Sequence, residues 1–154
     1  ALTLRSGRVI ARPYLPGLPL APATLEGAPT DEAGTRVVEL EGSRSWHLAF
    51  DASYEGALSV RIGSDSGLSI TLEEGRLTVD LTGTRYPHGG RRFVTLDAGE
   101  ASRVEILHDR SITEIYLGDG SRVFTTRSFL RGEGTGVTLS GAASVTNVSA
   151  VRAD

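Results

Sequence analysis

VEILHDRSITEIYLGDGSRVFTTRSF, residues 104 to 129, is the stretch that decides how this chain is read. Apolar and polar residues alternate from Val104 to His108, and again from Ile112 to Leu117. Period two is the mark of a strand with one wet face. Asp119-Gly120 then makes a hairpin turn, since glycine accepts the positive φ that such a turn requires. Centred there, the ladder sets Leu117 opposite Arg122 and Glu114 opposite Thr125. Arg127 falls on the face of Glu114, on the diagonal, where long side chains reach one another. A Glu114–Arg127 ion pair is expected, because a guanidinium offers a carboxylate a planar fork. Tyr116 shares that face, and Thr113, Ile115 and Leu117 take the other. Both faces carry apolar groups, so the strand is expected to lie between layers, where a carboxylate is either paired or functional.

The pattern continues outward in both directions. RVVEL, SWHLAF, ALSVRIG, LSITLEE, RLTVDL, RFVTLDA, RVEILHD, ITEIYLG, RVFTTRSFL, GVTLSG and ASVTNVSAV all read as short strands. Nineteen glycines serve the turns between them, and no window carries a helical stripe over three turns. About eleven short strands with turns every 8–12 residues predict an all-β fold. The expected form is a two-sheet antiparallel β-sandwich, jelly-roll or concanavalin A-like, with a closed barrel as its competitor. At the start, LTLRSGRVIARP reads as a hairpin around Ser6-Gly7. Pro16, Pro19, Pro22 and Pro29 follow, and proline removes backbone donors and fixes φ. Residues 1–30 are therefore read as a junction hairpin and an extended proline-rich connector without regular strand, and residues 31–154 as the sandwich.

Bulk composition narrows the function. The 154 residues fit one domain with a real core. A net charge of −3 gives no pull toward nucleic acid or an anionic membrane, and no apolar run approaches the roughly 20 residues of a membrane helix. Cysteine is absent, which excludes disulfides and thiolate metal sites. All 16 basic residues are arginine, which points to codon bias. Methionine is absent too, so the chain is read as a mature product or a piece of something larger.

Candidate chemistry is sparse. Glu73 and Glu74 are neighbours at a turn, and neighbours on a strand point to opposite faces, so they cannot act on one bond. His47, His88 and His108 lack the spacing of a metal site. Gly132, Gly134 and Gly136 open a strand, whereas a phosphate-cradling loop opens a helix. No cofactor is expected. Asn147-Val148-Ser149 has the form of a glycosylation sequon. Trp46, the lone tryptophan, can be a sugar-stacking platform, but with Leu48 and Phe50 at period two it reads better as core.

The hairpin resembles the C-terminal β-sandwich of glycoside hydrolase family 32, which contains invertases, fructan hydrolases and sucrose-6-phosphate hydrolases. That signature runs Asp-x-Ser-x-x-Glu-hydrophobic-aromatic, an acidic-glycine turn, then Thr/Ser-Arg. Asp109, Ser111, Glu114, Ile115, Tyr116, Asp119, Gly120, Thr126 and Arg127 occupy those positions. Ile112 and Thr113 reverse the usual polarity, and Gly118 stands where the family often has Asn. LTLRSGRVIARP is similar to the junction between that family's catalytic domain and its sandwich. The resemblance implies that catalysis belongs to a separate N-terminal five-bladed propeller. Its Trp-x-Asn-Asp-Pro, Arg-Asp-Pro and Glu-Cys motifs are absent: the only Trp precedes His47, no Asp precedes a Pro, and there is no Cys. Two roles follow as expectations. In the first, the chain is a non-catalytic accessory domain whose partner is the propeller of the same parent chain. In the second, it binds fructose-containing carbohydrate through Asp109, Arg110 and Glu114, with Tyr86 or Trp46 as an aromatic wall. The two are told apart by whether those charges converge in an open pocket or consume one another in ion pairs.

Overall fold

The computed structural model describes residues 1–15, 20–22, 24–26, 36–40, 43–63, 67–87, 90–131 and 136–153. Pro16, Pro19, Pro29, His88, Gly132 and Gly134 lie outside these. The described residues form thirteen strands and no α-helix. β1 (Leu2–Arg5) and β2 (Arg8–Ala11) make a separate two-stranded sheet. The others are β3 (Leu20–Pro22), β4 (Thr24–Glu26), β5 (Arg36–Glu39), β6 (Ser45–Ile62), β7 (Leu68–Glu73), β8 (Arg76–Asp80), β9 (Arg91–Thr95), β10 (Arg103–Asp109), β11 (Ile112–Leu117), β12 (Arg122–Arg127) and β13 (Gly136–Ala153).

These eleven strands form one antiparallel hydrogen-bonded network, folded over itself into two layers by β6 and β13. The first part of β6 pairs with β10, and its last part pairs with β7. β13 runs beside β6 almost throughout. One layer is thus β12-β11-β10-β6-β13 with β3, and the other is β9-β8-β7-β6-β13-β5-β4. The predicted sandwich is the observed fold. SWHLAF and ALSVRIG, read as two strands, are the two ends of β6; GVTLSG and ASVTNVSAV are both in β13. The strands turn the corner without breaking because β13 slips register twice, between Gly141 and Ala143 and between Thr146 and Ser149. Asn147 takes positive φ at the second slip, a conformation asparagine tolerates better than most residues.

Even-numbered residues of β6 face inward at both ends: Trp46, Leu48 and Phe50 in one layer, Leu58, Val60 and Ile62 in the other. They meet Ile106, Ile115, Ile70, Leu72, Leu77 and Val79 in a single core. The connector differs from expectation. Leu20–Pro22 pairs with β13, and Thr24–Glu26 pairs with β5. Pro22 lies in β3, which among the described strands pairs only with β13, and on such an edge strand a missing N–H is tolerated.

The β1–β2 hairpin rests on the turn after β11. Ala11 N–H donates to the Gly120 carbonyl at 2.9 Å, and Ile10 is buried. Gly120 has φ +93°, and a Cβ there would overlap the Ala11 carbonyl, so both the turn and the close approach call for glycine.

Candidate functional site

The register of the decisive hairpin is as read: Glu114 pairs with Thr125, Leu117 with Arg122 and Ile112 with Arg127. The outward face of its layer carries Ile112, Glu114 and Tyr116, continued across the ladder by Asp109, Glu105 and Arg103, then Ser45, His47 and Asp51. Only the Thr113, Ile115 and Leu117 face is turned to the core, so β11 is not sandwiched between layers as expected. The Glu114–Arg127 ion pair is not formed. Glu114 instead accepts the Tyr116 hydroxyl at 2.9 Å, two residues along its own strand, and Arg127 stands over the Phe129 ring at 5.9 Å. A partner on the same strand face is nearer than one on the diagonal of the neighbouring strand. The phenol's pKa is raised by burial and then by that carboxylate.

Much of the outward face is consumed by mutual pairs. His47 Nε2 lies 3.1 Å from Glu105, Arg103 Nη1 lies 3.1 Å from Asp51, and Asn147 Nδ2 donates to Asp51 at 2.7 Å. The Asn147 bond first, and Arg103 after it, hold the Asp51 carboxyl below the usual range.

Asp109 and Arg110 are placed differently. They lie at the end of the β10–β11 hairpin and line a cavity of about 460 Å³ with Tyr14, Ser45, Trp46, His47 and Leu107 among its other walls. Ser45 Oγ donates to Asp109 Oδ1 at 2.6 Å. Arg110 sits in the left-handed region at φ 53°, its N–H bonded to the Arg44 carbonyl at 2.7 Å. Trp46 is 2% exposed, as the core reading expected, and its ring stacks on His108 with centroids 5.2 Å apart. Its indole N–H is buried without a hydrogen-bond partner. Behind it a polar thread runs from His108 Nδ1 to Thr113 Oγ1 at 2.9 Å and on to Ser128 Oγ at 2.5 Å. Burial pushes the His108 pKa down to about 4, against a smaller opposing pull from Asp109 and the Arg110 backbone.

The structure therefore brings Asp109, Arg110 and Trp46 to one cavity and leaves out Glu114 and Tyr86. Tyr86 is half-exposed in the loop after β8 and packs edge-on against Phe129. The exposed aromatic ring at the cavity is Tyr14, which is 71% exposed, whereas Trp46 is buried. Sequence reasoning missed it, together with Ser45 and His47. Ser45 and His47 alternate with Trp46, so the same period that buries the indole turns them outward. Among the described residues no cluster of His, Asp and Glu could hold a metal ion.

Residues 27–153 match the family model described as glycosyl hydrolases family 32 C terminal. The chain belongs to that family. No curated protein matches the domain. Its fold is similar to that of a glycoside hydrolase family 32 protein from Bifidobacterium adolescentis, with a TM-score of 0.73 at 20% identity. A sucrose-6-phosphate hydrolase from Lactobacillus gasseri gives 0.74 at 18%, and a fructofuranosidase from Schwanniomyces occidentalis 0.72 at 12%. The matches cover 99%, 99% and 95% of the domain but 24%, 32% and 36% of those chains. The domain thus spans about a quarter to a third of the proteins it resembles. In this family the catalytic residues lie in the N-terminal domain, so the C-terminal domain alone is not an enzyme.

Proposed function

We propose that this domain is the accessory sandwich of a fructoside-hydrolysing glycosidase, docked on an N-terminal catalytic propeller that it stabilises. Residues 1–30 are its junction and approach, and residues 31–154 its body. The observation that carries this reading is the outer face of the β1–β2 hairpin. The register puts Leu2 and Ala11, and Leu4 and Val9, on one face. Leu2, Leu4 and Val9 are 77%, 71% and 61% exposed, while Ile10 on the other face is buried. A two-stranded ribbon with a wet apolar face is marginal by itself. Each of these side chains contributes about 1.5–3 kcal/mol when fully buried. The hairpin precedes the strands of the sandwich in chain order. The similar proteins include a sucrose-6-phosphate hydrolase and a fructofuranosidase, which supports fructosides as the substrate class of the parent.

The test is to isolate the native polypeptide that contains these residues and to measure its mass, its fructoside hydrolysis and its melting. A product of roughly three to four times this length that hydrolyses fructosides, and that melts earlier when Leu2, Leu4 and Val9 become serine, is expected. A native product of this domain alone, or a melting point indifferent to the triple change, overturns the reading.

A further inference from the structure

One end of the sandwich carries a group of arginines that the docking reading leaves without a role. Arg85 lies in the loop after β8, and Arg127, Phe129 and Arg131 lie at and beyond the end of β12. The two segments are sewn together. Arg85 N–H donates to the Phe129 carbonyl at 2.8 Å, and Arg131 Nη2 donates to the Thr84 carbonyl at 3.4 Å. Thr84 is buried and its hydroxyl donates to the Leu81 carbonyl at 2.8 Å, so the loop is anchored. Side-chain contacts then run in series. The Arg85 guanidinium lies over the Tyr86 ring at 5.6 Å, Tyr86 packs edge-on against Phe129 at 5.1 Å, and Arg127 stands over Phe129 at 5.9 Å. Arg85, Arg127 and Arg131 are all exposed, and none of the ion pairs among the described residues includes them. Of the carboxylates on the adjoining hairpin, Asp109 accepts from Ser45 and Glu114 accepts from Tyr116.

We propose that this end of the domain is a docking surface for an acidic, extended segment of another protein. A guanidinium that lies flat on a ring gives the ring its face and keeps its N–H edge for a carboxylate. The array is therefore preset: rings hold the guanidiniums, loop bonds hold the rings, and little side-chain freedom is lost on binding. In the series of contacts two rings stand between Arg85 and Arg127, so a run of anions fits the surface better than a single one. An extended segment supplies such a run, since side chains on one face recur about every 7 Å. A nucleic acid also carries a run of anions, but it gains from stacking its bases on open aromatic faces. Here a guanidinium covers a face of each ring, and the two rings pack edge-on against each other. The net charge of −3 also repels a long polyanion wherever it leaves the surface. The surface lies at the far end of β11 from the contact between Gly120 and Ala11: Arg127 pairs with Ile112 at the start of that strand, and Gly120 follows its end. This inference does not depend on docking to a catalytic domain, and either can fail alone.

The 154-residue chain is titrated into a fluorescein-labelled peptide of alternating glutamate and serine, and binding is followed by anisotropy. Saturable binding that weakens as salt rises is expected. Arg85→Glu, Arg127→Glu and Arg131→Glu each weaken it about tenfold or more, in variants that melt as the unaltered chain does. Arg127→Lys, which keeps the charge and loses the planar fork, weakens it about threefold or more. Arg76→Glu is the control. It makes the same charge change at an arginine that lies over the Phe93 ring at 4.6 Å, at the other end of β8 from this loop. It leaves the affinity within about twofold. No saturable binding, an equal loss in Arg76→Glu, unaltered binding in Arg127→Lys, equal binding of a peptide of alternating lysine and serine, or tighter binding of a single-stranded oligonucleotide overturns the proposal.

Discussion

His108 shows how much a single residue's setting can differ from its sequence context. It follows Val104 and Ile106 at period two, which places it on the inward face, yet by spacing alone it is only another isolated histidine. The structure buries it under Trp46 and anchors it to Thr113. Its folded pKa is about 4 against an ordinary value of 6.5. Between those values the unfolded chain takes up a proton that the folded one excludes. The stability it confers is therefore complete above pH 6.5 and falls as pH drops toward 4, by on the order of 3 kcal/mol. Denaturant melts from pH 7 to 4 should show this loss, and His108→Phe, which keeps the stack on Trp46, should flatten it. Equal slopes for the two proteins would remove His108 from the account. Trp46 itself was legible as core because Leu48 and Phe50 repeat at its period. Its orphan N–H was not, since no pattern of types reveals where an acceptor is missing.

Among the elements, the decisive hairpin was legible in register but not in partnership. Asp-Gly fixes which residues face one another, and Glu114 does face Thr125. Which long side chain a carboxylate then chooses depends on rotamers, and here the Tyr116 hydroxyl takes Glu114 from Arg127. Tyr116→Phe should cost about 1 kcal/mol and couple to Glu114→Gln in a double-mutant cycle. Arg127→Ala should change stability by less than about 0.5 kcal/mol and show no coupling to Glu114. Coupling to Arg127 instead would restore the expected ion pair. The proline-rich approach was misread for a different reason. Proline forbids donation from its own nitrogen only, so a three-residue strand ending in proline still forms where its neighbours supply the bonds. The continuity of β6 and β13 was hidden by Gly56 and Gly141, which look like turn residues and instead lie within strands that bend.

For the whole molecule, period-two alternation and glycine spacing were enough to give two layers around one core. They could not show that the layers share their two central strands. Since β6 and β13 belong to both, neither layer has an interior of its own. Unfolding should therefore be one event. Tyrosine and tryptophan fluorescence, far-ultraviolet dichroism and calorimetry should give coincident transitions, with matching calorimetric and van't Hoff enthalpies. Two separated transitions would show that the layers are less tightly joined than their shared strands imply. The cavity was half legible: Asp109 and Arg110 announce themselves beside a turn, but Tyr14 lies almost a hundred residues away and reaches them only through the fold.

The place of β13 carries a consequence for synthesis. It is the last of the described strands in the domain, yet it lies between β6 on one side and β5 and β3 on the other. A nascent chain that has released everything up to β12 still lacks the strand that joins those partners, and the long edge of β6 and the short edge of β5 stand unpaired. The domain cannot close piecemeal during synthesis, and its window of exposure lasts until β13 has emerged.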